Sequence, residues 1–386
     1  MLQTILHALK YYPRTSQESQ AKLEAATAGW ERNSYPLSND SVRDQTLKMH
    51  LYVKHPAGKK DTLILKIHGT HGLPEERLGV AKTLSSLDYL LENGKLNDDV
   101  GFAIISPYNP WGSLHGQRWT EHGVDINRAH LYYPEDFVDF QHTKEVEHLL
   151  AQLQPIIDAK APLGNGFKEF WAYYSQVFKL MKSGELKSAI QAVACGQWSD
   201  PNGVFYGGTE TPEQAKIVRQ LIPYLTEGYK QVIVIDEHTG LGKGFLFGRP
   251  SYLTNLKSDD PRFSRLKRAL PHLVSTSVQE IGPSRSQYAV RGCLLAYIEK
   301  YSKAEATFPV VTDDYTAFIP RVFFALRQQK RARNNPDTSA GKVRKADKRV
   351  LRRFGPSNPI QKVLSLRTAR RDLEALIQEF NLGRQN

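Results

Sequence analysis

Hydrophobic runs along the chain predict a sheet of buried strands that alternate with helices. Continuous apolar stretches at residues 61–70, 100–112 and 231–240 are typical of strands that are covered on both faces. Residues 47–54 alternate between apolar and polar side chains, and residues 273–279 also have the composition of a strand. Because helical patterns separate these strands, the sequence predicts an α/β fold with a mixed or mainly parallel sheet and helices on both faces.

The helical patterns fall between and around these strands. Residues 1–30, 137–160 and 167–196 have helical spacing, and another helix is predicted to start at Pro74. Proline suits the first turn of a helix, where its missing N–H would have no partner. Glu75 follows in the turn where an acidic side chain is favourable to the helix dipole.

The last part of the chain has a different pattern. Apolar periodicity is lost near residue 328, and the basic stretch that follows is predicted to be a flexible linker. Residues 364–380 then place leucine, isoleucine and phenylalanine on one helical face, which is expected to dock on the body or on a partner. The sequence therefore predicts a catalytic domain at 1–326 and, at 327–386, a basic linker with an amphipathic helix.

Charge is concentrated in this C-terminal extension. The 386 residues carry a formal net charge of +12, and residues 327–371 hold fifteen Lys and Arg against two acids. The body is therefore close to neutral, and any affinity for polyanions is expected to be weak, nonspecific, salt-sensitive and confined to the extension. Phe354 is the one aromatic residue in that stretch, so base stacking is not supported.

The cysteine count indicates a reducing compartment, and the hydropathy argues against a membrane span. Cys195 and Cys293 cannot form a disulfide framework and are expected to be small buried side chains. No run approaches the ~18 apolar residues of a membrane span, and the opening segment lacks the features of a secretory signal. We therefore expect a soluble, cytoplasmic protein.

Polar side chains follow four of the predicted strands at the points where the strands end. In an open α/β sheet, ligands bind outside the carboxyl ends of the strands. A hydrolytic zinc site needs about three His or carboxylate ligands and a position left for water. His71, Glu75 (or Glu76) and His238 satisfy this requirement. The other candidates at the same edge are Arg118, Asn127, Arg128 and Glu280.

Four segments, in their order along the chain, resemble a known family. They are HGTHGLPEE, NPWGSLHGQRWTEHGVDINRAH, GVFYGGTE and IDEHTGLG. They resemble zinc carboxypeptidases of the carboxypeptidase A superfamily, and in particular an uncharacterised, mainly bacterial branch with Gly-Thr-His-Gly and Asp-x-His-Thr-Gly-Leu-Gly signatures. The resemblance covers roughly residues 10–325. It implies a mixed, mainly parallel sheet of about eight strands sandwiched between helices.

The resemblance also implies the ligands of a zinc ion. His71 and His238 match the two histidine ligands of the family. The acidic ligand usually lies three residues after the first histidine, but that position holds Pro74 in this chain. We therefore expect Glu75 to be the ligand, with Glu76 as the alternative.

Further roles follow from the same motifs. Arg118 resembles the arginine that polarises the scissile carbonyl, and Glu280 resembles the general base that activates water. Asn127 and Arg128 resemble the pair that binds a terminal carboxylate. Tyr206, on a glycine-rich loop, is either a substrate contact or part of a plain turn.

The leading interpretation is a zinc metallocarboxypeptidase that removes a C-terminal residue from a peptide or peptide-like substrate. One alternative is a deacylase of N-acyl amino acids, of the desuccinylase and aspartoacylase group. Another is a metal-free pseudoenzyme that binds ligands, which Pro74 at the usual ligand position favours. His68 also has His-x-x-His spacing with His71, so it is a second possible ligand.

Overall fold

The computed structural model describes most of the chain, namely residues 2–40, 45–93, 97–130, 158–159, 163, 166–186, 196–198, 200–240, 251–276, 293–316, 319–356 and 358–383. The strands are β1 (Glu31–Asp40), β2 (Gln45–Lys54), β3 (Thr62–His68), β4 (Val100–Ser106), β5 (Gln231–Gly240), β6 (Ser251–Thr254), β7 (Leu273–Ser275) and β8 (Ala306–Thr316). The helices are α1 (Leu2–Leu9), α2 (Ser16–Ala26), α3 (Leu73–Asn93), α4 (Pro110–His115), α5 (Gly166–Lys182), α6 (Glu213–Thr226), α7 (Pro261–Ala269), α8 (Leu294–Tyr301), α9 (Ile319–Asn334), α10 (Ala340–Arg353) and α11 (Pro359–Glu379).

The eight strands form one sheet in the order β1-β2-β4-β3-β5-β8-β6-β7. Strands β4, β3, β5 and β8 are parallel to one another, and β6 is parallel to β7. The antiparallel pairs are β1–β2, β2–β4 and β6–β8. The predicted fold class, an α/β fold with a mixed, mainly parallel sheet between helices, is confirmed.

Helices cover both faces of this sheet. Leu63, Leu65 and Ile67 of β3 face α6 and α8 in one hydrophobic core. Ile64 and the alternate residues of the neighbouring strands face α3, α7 and α11 in a second core, to which α11 contributes Leu373, Leu376 and Ile377, and the residue after it, Phe380, also belongs. The period of two along β3 therefore divides its side chains between two buried layers. No described helix has both the length and the apolar character needed to cross a bilayer.

The structure corrects one expectation about the C-terminal part. The stretch predicted to be a flexible linker contains the end of α9 and all of α10, and α9 continues across the position of the proposed boundary at 326/327. Lys and Arg have high helix propensity, and Ala346 and Val350 bury a narrow apolar edge of α10. The division of the chain into two domains stays a proposal, and the predicted amphipathic helix corresponds to α11. The predicted helix at 137–160 lies almost entirely outside the described residues.

Parallel pairing brings the carboxyl ends of β4, β3 and β5 to one edge of the sheet. The carbonyl oxygen of His68, the last residue of β3, accepts a hydrogen bond from the Tyr108 N–H at 2.8 Å. The turn after β3 is closely packed, because a Cβ on Gly72 would lie 2.0 Å from the carbonyl oxygen of Gln117. Gly72 also has φ of +78°, which glycine adopts without strain. This turn fixes His71 just before α3.

Candidate metal centre

His71 and Glu75 face each other across the start of α3. Glu75 reaches back over the first turn of the helix, and its Oε2 accepts a hydrogen bond from the His71 backbone N–H at 2.8 Å. Its other oxygen, Oε1, lies 2.9 Å from Nδ1 of the His71 ring. The same carboxylate therefore ties the first turn of α3 to a residue that precedes the helix and points an oxygen at the imidazole.

His238, near the end of β5, completes the cluster. Its Nδ1 lies 3.8 Å from Oε1 of Glu75, and its ring stands edge-on to that of His71 with 4.7 Å between the centres. The next residue, Thr239, donates its backbone N–H to Oε1 of Glu75 at 3.2 Å. One possible ligand atom from each of His71, Glu75 and His238 lies within 4.8 Å of the other two, and all three residues are buried.

Aspartates hold the other side of both histidine rings. Nε2 of His238 lies 2.6 Å from Oδ2 of Asp236, and Oδ1 of the same aspartate accepts a hydrogen bond from the Thr70 hydroxyl at 3.0 Å. Nε2 of His71 lies 3.2 Å from Oδ1 of Asp125. In zinc sites, a carboxylate on the second ring nitrogen commonly fixes the tautomer and orientation of a ligating histidine.

The residues of this cluster fit a zinc ion. Ligands about 2 Å from a tetrahedral zinc are roughly 3.3 Å apart. The two separations from Oε1 of Glu75, 2.9 Å to His71 and 3.8 Å to His238, lie on either side of that value. Two imidazoles and one carboxylate are also the donor types found in catalytic zinc sites.

The cluster favours the ionised form of its carboxylates. Burial opposes ionisation of Glu75, but His71 and His238 outweigh it and lower the pKa of Glu75 to about 2. Burial likewise opposes ionisation of Asp125, and Arg118 and Arg128 hold its pKa well below the usual range. Both groups therefore stay negative at neutral pH, as a cation ligand and its support must.

Arg118 and Arg128 both contact Asp125. Arg118 donates from Nε to Oδ2 at 2.9 Å, and its Nη2 lies 2.8 Å from Nε2 of His71. Nη1 of Arg128 lies 3.5 Å from Oδ1, and both guanidinium groups lie about 5 Å from the ring of Phe205, at 5.1 and 5.2 Å. The structure therefore brings the two predicted arginines to the cluster through one carboxylate.

The other predicted substrate contacts lie in the same region but are buried. Arg128 is 1% exposed and Asn127 is 8% exposed. The side-chain oxygen of Asn127 accepts the Leu294 backbone N–H at 3.1 Å. Tyr206 is 6% exposed, and its carbonyl oxygen accepts the Asp125 N–H at 2.7 Å. Its ring packs in a small apolar cluster, so Tyr206 supports the loop that carries Asp125.

Neither alternative ligand faces the cluster. The Oε1 of Glu76 accepts a hydrogen bond from the Ser16 hydroxyl of α2 at 2.9 Å, and burial raises the pKa of Glu76 to about 7. His68 points to the other face of β3, where its Nε2 lies 2.9 Å from the Thr83 hydroxyl. Burial and the charge of Lys66 lower the pKa of His68 to about 3.

The predicted general base, Glu280, lies outside the described residues, as does Cys195. Cys293 is a free thiol at the start of α8, and burial raises its pKa. A thiol with a raised pKa is a poor nucleophile, in agreement with its expected passive role.

Three residues of the site were not singled out from the sequence. Asp125 stands in the GVDINR motif, and Asp236 lies two positions before His238, hence on the same side of β5. Lys330 of α9 is 2% exposed and donates from Nζ to the carbonyl oxygens of Gly123 and Pro201, both at 3.1 Å, and to that of Gly203. A period-two search along β5 could have found Asp236. Nothing near Lys330 in the sequence indicates its role.

Comparison with solved structures found distant similarities. A metallo-carboxypeptidase from Burkholderia cenocepacia is 13% identical, with 96% of this chain and 70% of that chain covered and a TM-score of 0.43. Carboxypeptidase A from Helicoverpa armigera is 10% identical, with 88% and 73% covered and a TM-score of 0.44. A succinylglutamate desuccinylase from Silicibacter sp. TM1040 is 11% identical, with 92% and 68% covered and a TM-score of 0.40. The function of the site is therefore inferred from its own residues.

Comparison of sequences identifies the family. No curated protein matches the chain. The sequence profile of the family described as "Protein of unknown function (DUF2817)" matches residues 14–363, which is most of the chain. The chain belongs to the DUF2817 family.

Proposed function

We propose that the chain is a zinc-dependent hydrolase, and specifically a metallocarboxypeptidase that removes the C-terminal residue of a peptide or peptide-like substrate. The observation that carries the proposal is the convergence of Nδ1 of His71, Oε1 of Glu75 and Nδ1 of His238, with Asp125 and Asp236 behind the two rings. Histidines with a purely structural role do not need one shared carboxylate at Nδ1 and a separate carboxylate at Nε2 of each ring.

His71, Glu75 and His238 would hold the zinc ion. Zinc bound there would lower the pKa of a water molecule and polarise a carbonyl group. Asp236 and Asp125 keep the two imidazoles oriented, and Asp125 also fixes the side chain of Arg118.

Arg118 and Glu280 would act on the reacting groups. A guanidinium beside the cluster is suited to stabilise the oxyanion that develops on a carbonyl oxygen. Glu280 is proposed as the general base that accepts the proton of water and later delivers it to the leaving amine. Its Glu280→Gln variant should retain metal and fold while losing roughly 10²–10⁴-fold in turnover.

The proposed exopeptidase specificity depends on Asn127 and Arg128. An arginine fork binds a carboxylate through two parallel hydrogen bonds, so Arg128 is the proposed anchor of the substrate terminus. The ring of Tyr206 is proposed to line the same substrate site. Arg128 and Tyr206 are buried in this conformation, so substrate must displace the contacts around them.

Deacylation of an N-acyl amino acid is the second candidate. The desuccinylase and aspartoacylase group is related to the carboxypeptidases that the motifs resemble, and the same metal ligands and arginine would serve an acyl substrate with a free carboxylate. We propose the cytoplasm as the compartment, because Cys293 is a free thiol and two cysteines provide no disulfide framework. Weak polyanion binding by the basic extension also remains a proposal.

The test is hydrolysis of matched substrates by the zinc-loaded protein. The panel contains peptides with free and amidated C-termini and N-succinyl and N-acetyl amino acids. Cleavage of free peptides, with amidated ones at least about tenfold slower, supports the carboxypeptidase. Arg128→Ala should abolish that preference mainly through KM. Equal cleavage of free and amidated peptides would exclude an exopeptidase, and turnover of N-acyl amino acids alone would favour the deacylase.

A further inference from the structure

Helix α5 carries a row of large apolar side chains on its solvent side. Phe167, Trp171, Phe178 and Met181 are 71%, 59%, 56% and 54% exposed. At 100° per residue they fall within an arc of roughly 80° and extend over roughly 21 Å of the helix. We call these four residues the aromatic ridge.

The ridge is not needed to attach α5 to the fold. Another side of the helix, formed by Tyr173, Val177 and Leu180, packs in a hydrophobic core with Phe323 and Phe324 of α9. The Tyr173 hydroxyl also donates to the carbonyl oxygen of Pro320 at 2.7 Å. An exposed apolar row of this size on a helix that is already anchored marks a surface for contact with something else.

Basic side chains accompany the ridge along the helix. Lys168, Lys179 and Lys182 lie along one edge, and Nζ of Lys182 is 5.1 Å from the centre of the Phe178 ring. Arg321 and Arg353 lie near Tyr174, which at 100° per residue falls within the arc of the ridge, and both lower its pKa although burial raises it on balance. The ridge is therefore accompanied by positive charge.

No acid on α5 offsets this charge. Glu169, the acidic residue of the helix, pairs with Arg331 at 3.0 Å and accepts a hydrogen bond from Gln328 at 2.8 Å. Helix α10, whose Val350 packs in the same core as Tyr173, adds exposed basic side chains. These are Lys342, Arg344, Lys345, Lys348 and Arg352.

We infer that the aromatic ridge binds the surface of an anionic lipid bilayer. Trp, Phe and Met on one side of a helix can enter the boundary between headgroups and acyl chains, while flanking lysines remain at the level of the phosphates. Each basic residue near an anionic membrane raises the partition coefficient roughly fivefold. The contact is peripheral, since no described helix could span a bilayer. This inference is independent of the proposed hydrolase.

Other occupants fit the surface less well. A second copy would bring two ridges and their accompanying positive charges together, and like charges repel. Single-stranded nucleic acid needs ring faces on which successive bases can stack. The Trp171 ring instead stands at 72° to that of Phe167 and at 90° to that of Phe170, so these rings do not form a row of parallel faces.

The experiment is co-sedimentation of the full chain with vesicles of phosphatidylcholine, alone or with roughly one-third phosphatidylglycerol. We expect the wild type to bind the anionic vesicles at least about tenfold more strongly than the neutral ones, and to be released at high salt. The Phe167→Ser/Trp171→Ser/Phe178→Ser variant should bind about tenfold more weakly. The Lys168→Gln/Lys179→Gln/Lys182→Gln variant should lose roughly tenfold to a hundredfold.

Matched controls separate this surface from general stickiness. Tyr224 on α6 is 66% exposed, and Tyr224→Ser should bind like the wild type. A thermal midpoint equal to that of the wild type shows that the triple serine variant of the ridge is folded. If its midpoint is lowered, the single variant Trp171→Ser is used in its place. Failure of the wild type to bind anionic vesicles overturns the inference, as does full binding by the folded serine variants of the ridge. Ridge-dependent dimerisation or oligonucleotide binding without vesicle binding would also overturn it.

Discussion

Nε2 of His71 lies 3.2 Å from Oδ1 of Asp125, on the side of the imidazole ring away from Glu75. The same nitrogen is 2.8 Å from Nη2 of Arg118, which can only donate a hydrogen bond. That contact requires the His71 proton on Nδ1, whereas a metal on Nδ1 requires it on Nε2. We therefore expect metal binding to transfer the contact of Nε2 from Arg118 to Asp125, which frees Arg118 for substrate.

The first prediction concerns metal content. The purified protein should hold about one zinc per chain, and His71→Ala or His238→Ala should remove it because each deletes one of three ligands. Elemental analysis of dialysed protein measures this. His55→Ala is the matched control, since His55 is an exposed histidine paired with Glu31 at 2.8 Å. Full zinc occupancy in both ligand variants would exclude this site.

The second prediction compares the two adjacent glutamates. Glu75→Gln should weaken zinc binding strongly, whereas Glu76→Gln should leave it unchanged, because Glu76 faces Ser16. Competition with a chelator gives the two affinities. The reverse order of effects would place the acidic ligand at Glu76.

The third prediction concerns pH and stability. Burial in the folded state raises the pKa of Glu76 to about 7, whereas its ordinary value, which applies to the unfolded chain, is 4.5. The folded protein therefore binds more protons between these values, so the contribution of Glu76 to the free energy of unfolding falls as pH rises through that window and is constant above it. Relative to wild type, Glu76→Gln should gain roughly 3 kcal/mol between pH 4.5 and pH 8. Denaturant unfolding at several pH values tests this, and a pH-independent difference contradicts it.

The fourth prediction concerns the carboxylate behind His238. Asp236→Asn should weaken zinc binding by about 10–100-fold while leaving the three ligands in place, because the amide no longer fixes the imidazole as a carboxylate does. Thr70→Val is the matched control. It removes only the 3.0 Å hydrogen bond to Asp236 and should have a smaller effect. Equal affinities of the wild type and Asp236→Asn would show that His238 needs no orienting partner.

The fifth prediction concerns Lys330. Lys330→Met should lower the free energy of unfolding by about 2 kcal/mol or more, because carbonyl oxygens on two loops, among them that of the buried Gly203, lose their donor. The loops are those of Gly123 and Pro201, next to Asp125 and Phe205, so activity should fall as well. Lys348→Met, an exposed substitution on α10, should change neither. Denaturant unfolding and turnover measure the two effects.

The central strands could be predicted because their hydrophobic patterns are unambiguous. The apolar runs at 61–70, 100–112 and 231–240 correspond to β3, β4 and β5, which are buried on both faces. Strands β1, β6 and β8 were not predicted. Strand β1 is a polar edge strand, β6 has only four residues, and Pro309 interrupts the apolar run of β8. These strands form because they pair with neighbouring strands, and that pairing cannot be predicted from the local sequence pattern.

The candidate site could be predicted only where a motif names the residue. His71, Glu75 and His238 were found from strand ends and motif order, and the structure brings them together. Their role as zinc ligands stays a prediction, as does the role of Glu280. The choice of Glu75 over Glu76 depends on which way each side chain leaves the first turn of α3. Lys330 acts across more than a hundred positions, through contacts that only the fold creates.

The packing of α11 has a consequence for biosynthesis. Its Leu373, Leu376 and Ile377, together with Phe380 just after the helix, pack against Ile64 and the apolar residues of the neighbouring strands. While the chain is being translated, α3 and α7 can cover only part of this side of the sheet, and the rest stays exposed until residue 380 has left the ribosome. Incomplete nascent chains therefore present an apolar sheet surface to chaperones and proteases. We expect a premature stop before α11 to yield a product that is degraded rather than a shortened, working protein.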